Sequence, residues 1–263
     1  MTELQPVPLK HRPRIWIGLA IWVGYLVVVG VIQAVSGIPY DSWGDSAGNL
    51  FLGAGVSLII ASVLLVITTT LLGWWRPAMR ERAHSRHRWP LFVPILAAIA
   101  LVMNLAGTDW AAYSGAFFAA SCVLLLVGFT EELVSRGILL TALRSRLGEG
   151  WVWFITSALF GLSHLMNVLL GAPLTGTVGQ VLAAFLGGTI FYILRRTTGT
   201  LIWSMVLHGL WDFSVFAAGV GHAGDITAIG NVVYLTAGIL GLLSVVFVIR
   251  GANERGEPRS PLA

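Results

Sequence analysis

Charge is scarce in this sequence. Of 263 residues 11% are charged and 56% are hydrophobic, and the mean hydropathy is +0.83. Soluble domains carry about 25% charged residues, so the composition excludes an ordinary soluble protein. Cysteine is limited to Cys122, which excludes an intramolecular disulfide framework and any zinc site built on cysteines. Lysine is limited to Lys10 beside 15 arginines. The pI of 9.7 raises nucleic acid as a partner. The basic residues, however, sit in short clusters between apolar runs, a pattern of membrane topology. There is no internal repeat and no low-complexity domain. The first apolar run is too long for a cleavable signal peptide and lacks a small-residue cleavage site, so it reads as a retained span. The length fits a single membrane domain, residues 1–263.

What is present is a series of apolar segments, each near the roughly 20 residues needed to cross a bilayer. Eight are expected, near 15–35, 50–73, 90–106, 112–143, 151–169, 176–194, 199–217 and 230–249. The fold class is therefore an all-α polytopic membrane protein. With eight crossings, 15 of the 16 basic residues fall on one side, the exception being Arg136. The opposite loops hold Asp41, Asp45, Asp109 and Asp225 and no basic residue. An excess of arginine marks the cytoplasmic side, which places both termini there. The loop "RPAMRERAHSRHRW" reads as a solvated cytoplasmic turn, with His84 and His87 on its surface. The tail 251–263 reads as a mobile cytoplasmic segment.

Ionised groups in hydrocarbon are costly and therefore pair or face a wet cavity. Three segments carry them. In "EELVSR", Glu132 and Arg136 are four apart and share a helix face, whereas Glu131 is rotated from Glu132 by about 100°. This predicts a structural Glu132–Arg136 pair and a Glu131 that faces a cavity. In "FGLSH", Phe160 and His164 are one turn apart. In "HGLWD", His208 and Asp212 share a face, and the carboxylate can orient the imidazole. Asn104, Asn167 and Gln180 read as interhelical hydrogen-bonding residues. At 1.5 Å per residue, Glu131, His164 and His208 each lie about 18–20 Å from the nearest cytoplasmic marker. One carboxylate and two imidazoles are thus expected at one level.

Such a set activates water in one of two ways. Glu131, His164 and His208 could hold Zn2+ with an open position for water. Alternatively no metal is needed: Glu131 acts as general base, His164 holds the water, and His208 with Asp212 stabilises an oxyanion. Serine chemistry is disfavoured, because Ser163 is expected to point about 100° away from His164. Cys122 lies well outward of Glu131. Both routes point to hydrolysis of an acyl bond. A proton-coupled transporter and a non-proteolytic membrane binding protein are the other readings of intramembrane Glu, His and Arg.

The three motifs resemble those of the CPBP family, the CAAX prenyl protease and bacteriocin-processing (Abi) intramembrane proteases. "EELVSR" matches EExxxR, "FGLSH" matches FxxxH, and "HGLWD" matches HxxxN/D, over a core from about 115 to 216. The resemblance implies an intramembrane endopeptidase with Glu131 as catalytic base, His164 as its partner on the water, and His208 with Asp212 on the oxyanion. Glu132, Arg136 and Phe160 would support the site. Asp212 stands where Asn is common, and a carboxylate is the poorer donor. An oxyanion role for it therefore needs a proton or a place behind His208. The family carries a metalloprotease label, but the resemblance favours glutamate-activated water with no metal cofactor, zinc being the alternative. Partners implied are a membrane peptide or protein substrate and the lipid bilayer, with no nucleic acid. Eukaryotic relatives trim prenylated CAAX proteins, and bacterial relatives are linked to bacteriocin maturation, immunity and peptide signalling. The arginine bias and compact size read as a bacterial plasma-membrane protein.

Overall fold

The computed structural model describes residues 9–82, 84–221 and 224–250. Among the described residues the chain is helical, and its only β pairing is an isolated bridge between Arg80 and Thr200. Seven helices are long and apolar enough to cross a membrane: α1 (Ile15–Ser36), α2 (Ala47–Leu72), α3 (Trp89–Gly107), α4 (Gly115–Leu143), α5 (Glu149–Leu169), α6 (Leu174–Thr198) and α8 (Asp225–Arg250). The eighth expected span is α7 (Ile202–Val220), whose His208 and Asp212 dilute its apolarity. Its two ends are tied to the loops that flank α3. Leu201 N donates to Met79 O at 2.9 Å, and Asp109 N donates to Gly221 O at 2.8 Å. Helix α3 begins just beyond the first of these loops and ends beside the second, so α7 runs the same distance alongside it.

The first and last described residues lie on the arginine-rich face. Trp74 Nε1 donates to the carbonyl of His11 at 2.7 Å, and Phe247 near the end of α8 meets Trp89 edge to face at 5.2 Å. The tail 251–263 lies outside the described residues. Helix α4 starts at Gly115, capped by Ser114 Oγ, which accepts from Phe117 N at 3.1 Å. It runs on through a 3-10 turn at Cys122–Leu124 and a π-helical stretch at Leu133–Leu139. Such departures from α geometry frequently mark functional sites.

Two glycines set the contact between α4 and α7. A Cβ on Gly128 would fall on the carbonyl oxygen of Met205 and the amide of Gly209, and one on Gly209 would lie 2.7 Å from Leu125 O. The backbones touch, as small residues allow in membrane helices. This contact carries "EE" on α4 against His208 on α7. Gly128→Val is expected to lower stability by about 1–3 kcal/mol. It should also remove activity by parting the two helices, checked by thermal unfolding in detergent together with a cleavage assay.

The cytoplasmic face differs from expectation. Arg195 and Arg196 were expected in the connection after the sixth span, but α6 continues to Thr198 and both side chains are fully buried. Gly199 then ends the helix at φ 82, a left-handed conformation that suits glycine. The 76–89 loop is likewise more than a solvated turn. It holds a short helix, Trp75–Met79, and the buried Glu81. Arg195 donates to the carbonyls of Ala78 at 2.7 Å and Pro77 at 2.9 Å, and also to Arg136 O in the π-helical stretch. Glu81 pairs with Arg144 at 2.9 Å and with Arg195 at 3.3 Å. Glu149 accepts from Tyr192 at 2.7 Å and pairs with Arg144 and Arg196. His84 and His87 are exposed, as expected.

Burial alone would raise the Glu81 carboxyl, but the guanidiniums of Arg144, Arg195 and Arg196 outweigh it and hold the group at about 2, against an ordinary 4.5. A depressed folded value means stability that is present above about pH 4.5 and lost as pH falls through about 2. The gap corresponds to roughly 3 kcal/mol at neutral pH. Hydrogen exchange at residues 75–82 is expected to quicken over that window, and Glu81→Gln is expected to be destabilised already at pH 7 and to lose the dependence.

Candidate active site

Helices α4, α5 and α7 bring the three motifs to one cavity of about 490 Å³, bordered by Glu131, Phe160, His164, His208 and Asp212. The depth estimate placed His208 too far in: the chain between Arg196 and His208 includes the end of α6 and a turn, so His208 sits only about 9 Å into α7.

Glu132 and Arg136 form the expected ion pair, Oε1 to Nη1 at 2.8 Å, with both side chains fully buried. Glu132 does more than hold the arginine. The same Oε1 lies 3.1 Å from His208 Nδ1. The other ring nitrogen, Nε2, lies 3.6 Å from Asp212 Oδ2 and 3.9 Å from Glu131 Oε2. Glu132, not Asp212, is therefore the hydrogen-bonding partner that orients His208, and the imidazole is bracketed by three carboxylates. Glu131 stands apart from the arginine, as its rotation on the helix predicts. Its Oε2 is buried and has no hydrogen-bond partner among the described residues.

Phe160 explains the aromatic position of its motif. The Arg136 guanidinium lies over its ring at 4.0 Å, a cation–π contact strengthened by the dry surroundings. Its edges meet His164 at 5.2 Å and His208 at 5.4 Å between ring centres. Its carbonyl is 3.0 Å from His164 Nδ1. With Nδ1 donating there, Nε2 of His164 is the nitrogen left for the cavity. Ser163 also borders the cavity, contrary to expectation. Its hydroxyl donates to the carbonyl of Phe160 at 2.6 Å, so it is not poised as a nucleophile. Cys122 is exposed and borders no part of the site.

Residues 113–214 match the family model described as type II CAAX prenyl endopeptidase Rce1-like. This stretch is similar to the CPBP family of CAAX-type intramembrane proteases. None of the curated proteins compared with it matches. The matched stretch contains all three motifs, and the chain is a multi-pass membrane protein.

Several neighbours of the matched stretch carry no signal in the sequence. Phe191 on α6 stacks on His208 at 4.6 Å and 19°, yet it lies in an apolar run like any other. Tyr25, from the first hundred residues where no motif is visible, borders the cavity and places its hydroxyl 3.3 Å from Thr130 Oγ1. Trp211 and Tyr234 stack at 3.6 Å on the far side. The isolated polar residues pair as expected. Asn167 Nδ2 donates to Gln180 Oε1 at 2.9 Å, and Asn104 Nδ2 to Ser214 Oγ at 3.4 Å. Asn167 and Gln180 also border the cavity.

Proposed function

We propose that this protein is an intramembrane endopeptidase that hydrolyses a peptide bond with water activated by Glu131. The observation that carries the reading is the Glu131 Oε2 atom, buried with no hydrogen-bond partner among the described residues and facing His208 in the shared cavity. A buried acceptor left unsatisfied is costly, and a water held there satisfies it. In the reaction the water gives a proton to Glu131 while its oxygen bonds to the scissile carbonyl carbon. The carbonyl π pair moves onto oxygen, where His208, an imidazolium whose Nδ1–H is held by Glu132, donates its Nε2–H to the negative charge. Asp212 beside the same nitrogen adds a donor only in its protonated form. Collapse breaks the C–N bond, and the departing amine takes the proton from Glu131. His164, fixed through Nδ1, positions the water through Nε2.

The zinc alternative would use Glu131, His164 and His208. Among the described residues no three acid, histidine or cysteine side chains are arranged to hold a metal ion. No step of the proposed route passes through one. The substrate is a membrane peptide or protein, and the setting that fits the arginine-rich chain is a bacterial plasma membrane. Peptides from membranes and medium of cells making wild type or His164→Ala, compared by mass spectrometry, test the reading. Cleavage products are expected only with wild type, unaffected by 1,10-phenanthroline. The same products from both proteins reject it.

A further inference from the structure

The cavity is closed toward the arginine-rich face and open toward the other. In α4 every residue from 132 to 143 is buried, and in α6 every residue from 187 to 197. Helices buried all round leave no channel between them. The network of Glu81, Arg144, Glu149, Arg195 and Arg196 closes the inner end. No described residue of the inner connections 73–88, 144–148 or 199–201 borders the cavity.

On the opposite side the lining continues outward. It takes in Tyr40 from the outer loop, whose amide is tied to Leu170 O at 3.1 Å, and Gln180 and Ala183 of α6, and Asn231 and Leu235 of α8. Helices α6 and α8 pack tightly below this level, where a Cβ on Gly238 would fall 2.5 Å from Leu186 Cβ. Above it, a Cβ on Gly176 or Gly179 of α6 would meet no atom within 4 Å. Gln180 and Asn231 each lie six residues, about 9 Å, from the outer ends of their helices. Asn231 and Leu235 are exposed while also bordering the cavity.

We propose that substrate reaches Glu131 laterally, between the outer halves of α6 and α8, from the leaflet opposite the arginine-rich face. The substrate class is then a membrane-anchored peptide whose cleavable segment lies in the non-cytoplasmic half of the bilayer, not a tail presented from the cytoplasm. This substrate clause rests on the endopeptidase reading. The route does not. A peptide must be locally extended to be cut, and its freed backbone N–H and C=O groups need partners in a dry slot. The carboxamides of Asn167, Gln180 and Asn231 stand at the opening and supply them.

The test uses the full chain with Cys122→Ala as background, in sealed vesicles of both orientations. A membrane-impermeant charged methanethiosulfonate is the probe, and His84→Cys marks the arginine-rich face. Ala183→Cys is expected to react at least about tenfold faster from the face opposite His84→Cys, reactivity following exposure. Faster reaction from the His84 face overturns the route. In the double variant Gln180→Cys/Asn231→Cys, bridging by bismaleimides of graded length is expected to reduce cleavage of a membrane peptide about tenfold or more. Cleavage undiminished by a complete bridge also overturns the route. Labelling as expected with no cleavage by unmodified protein supports the route and counts against the endopeptidase reading alone.

Discussion

Glu131→Gln is expected to abolish peptide cleavage while leaving the protein folded. The substitution keeps the shape of the side chain and removes its ability to take a proton. General-base catalysis contributes roughly 10²–10⁴-fold, so turnover should fall by about that factor. Stability should change little, because Glu131 is not part of the Arg136 ion pair and its nearer oxygen is 3.9 Å from His208. The measurement is single-turnover cleavage of quenched membrane peptides in proteoliposomes, with thermal unfolding run in parallel. Cleavage within a few-fold of wild type would mean that another group removes the proton. The amide also separates this reading from a binding role, since a protein that merely holds a partner in the cavity should keep its biological effect with glutamine at 131.

The parts legible in the sequence were those where polarity conflicts with hydrocarbon. Glu131, Glu132, Arg136, His164, His208 and Asp212 stand out because apolar neighbours surround them, and their spacing by four fixes which pairs share a face. The rotation between Glu131 and Glu132 separated the cavity-facing acid from the paired one. What was not legible follows from the same physics. In a membrane span an apolar side chain is compatible with lipid and with the core alike, so nothing marks Phe191 as the ring under His208 or Tyr25 as a wall of the cavity. Gly128 and Gly209 read as ordinary members of apolar runs, although their missing side chains let α4 and α7 touch. Arg195 and Arg196 follow an apolar run and so resemble loop charges. Only the packed structure reveals that helix carbonyls and two buried glutamates receive them. The sequence also showed Glu132 as the partner of an arginine four residues on, while its contact with His208, 76 positions away, depends on helix packing.

That second contact gives Glu132 and Arg136 separable effects on stability and activity. Arg136→Met removes the cation and leaves the Glu132 carboxylate, fully buried, with half its compensation. Breaking a buried pair in this way costs about 3–5 kcal/mol, and for a chain this size each kcal/mol lowers the melting temperature by roughly 2–4 °C. The fall should therefore be on the order of 10 °C. Replacing both members, Glu132→Leu with Arg136→Met, removes the uncompensated charge together with its partner and is expected to restore most of the loss. Activity should not return with it. His208 Nδ1 would have lost the carboxylate that sets its orientation, leaving Asp212 at 3.6 Å on the other nitrogen free to turn the ring. Recovery of stability without recovery of cleavage identifies Glu132 as a positioning residue for His208. Recovery of both would reduce it to the counter-ion of Arg136 and move the orientation of His208 to Asp212.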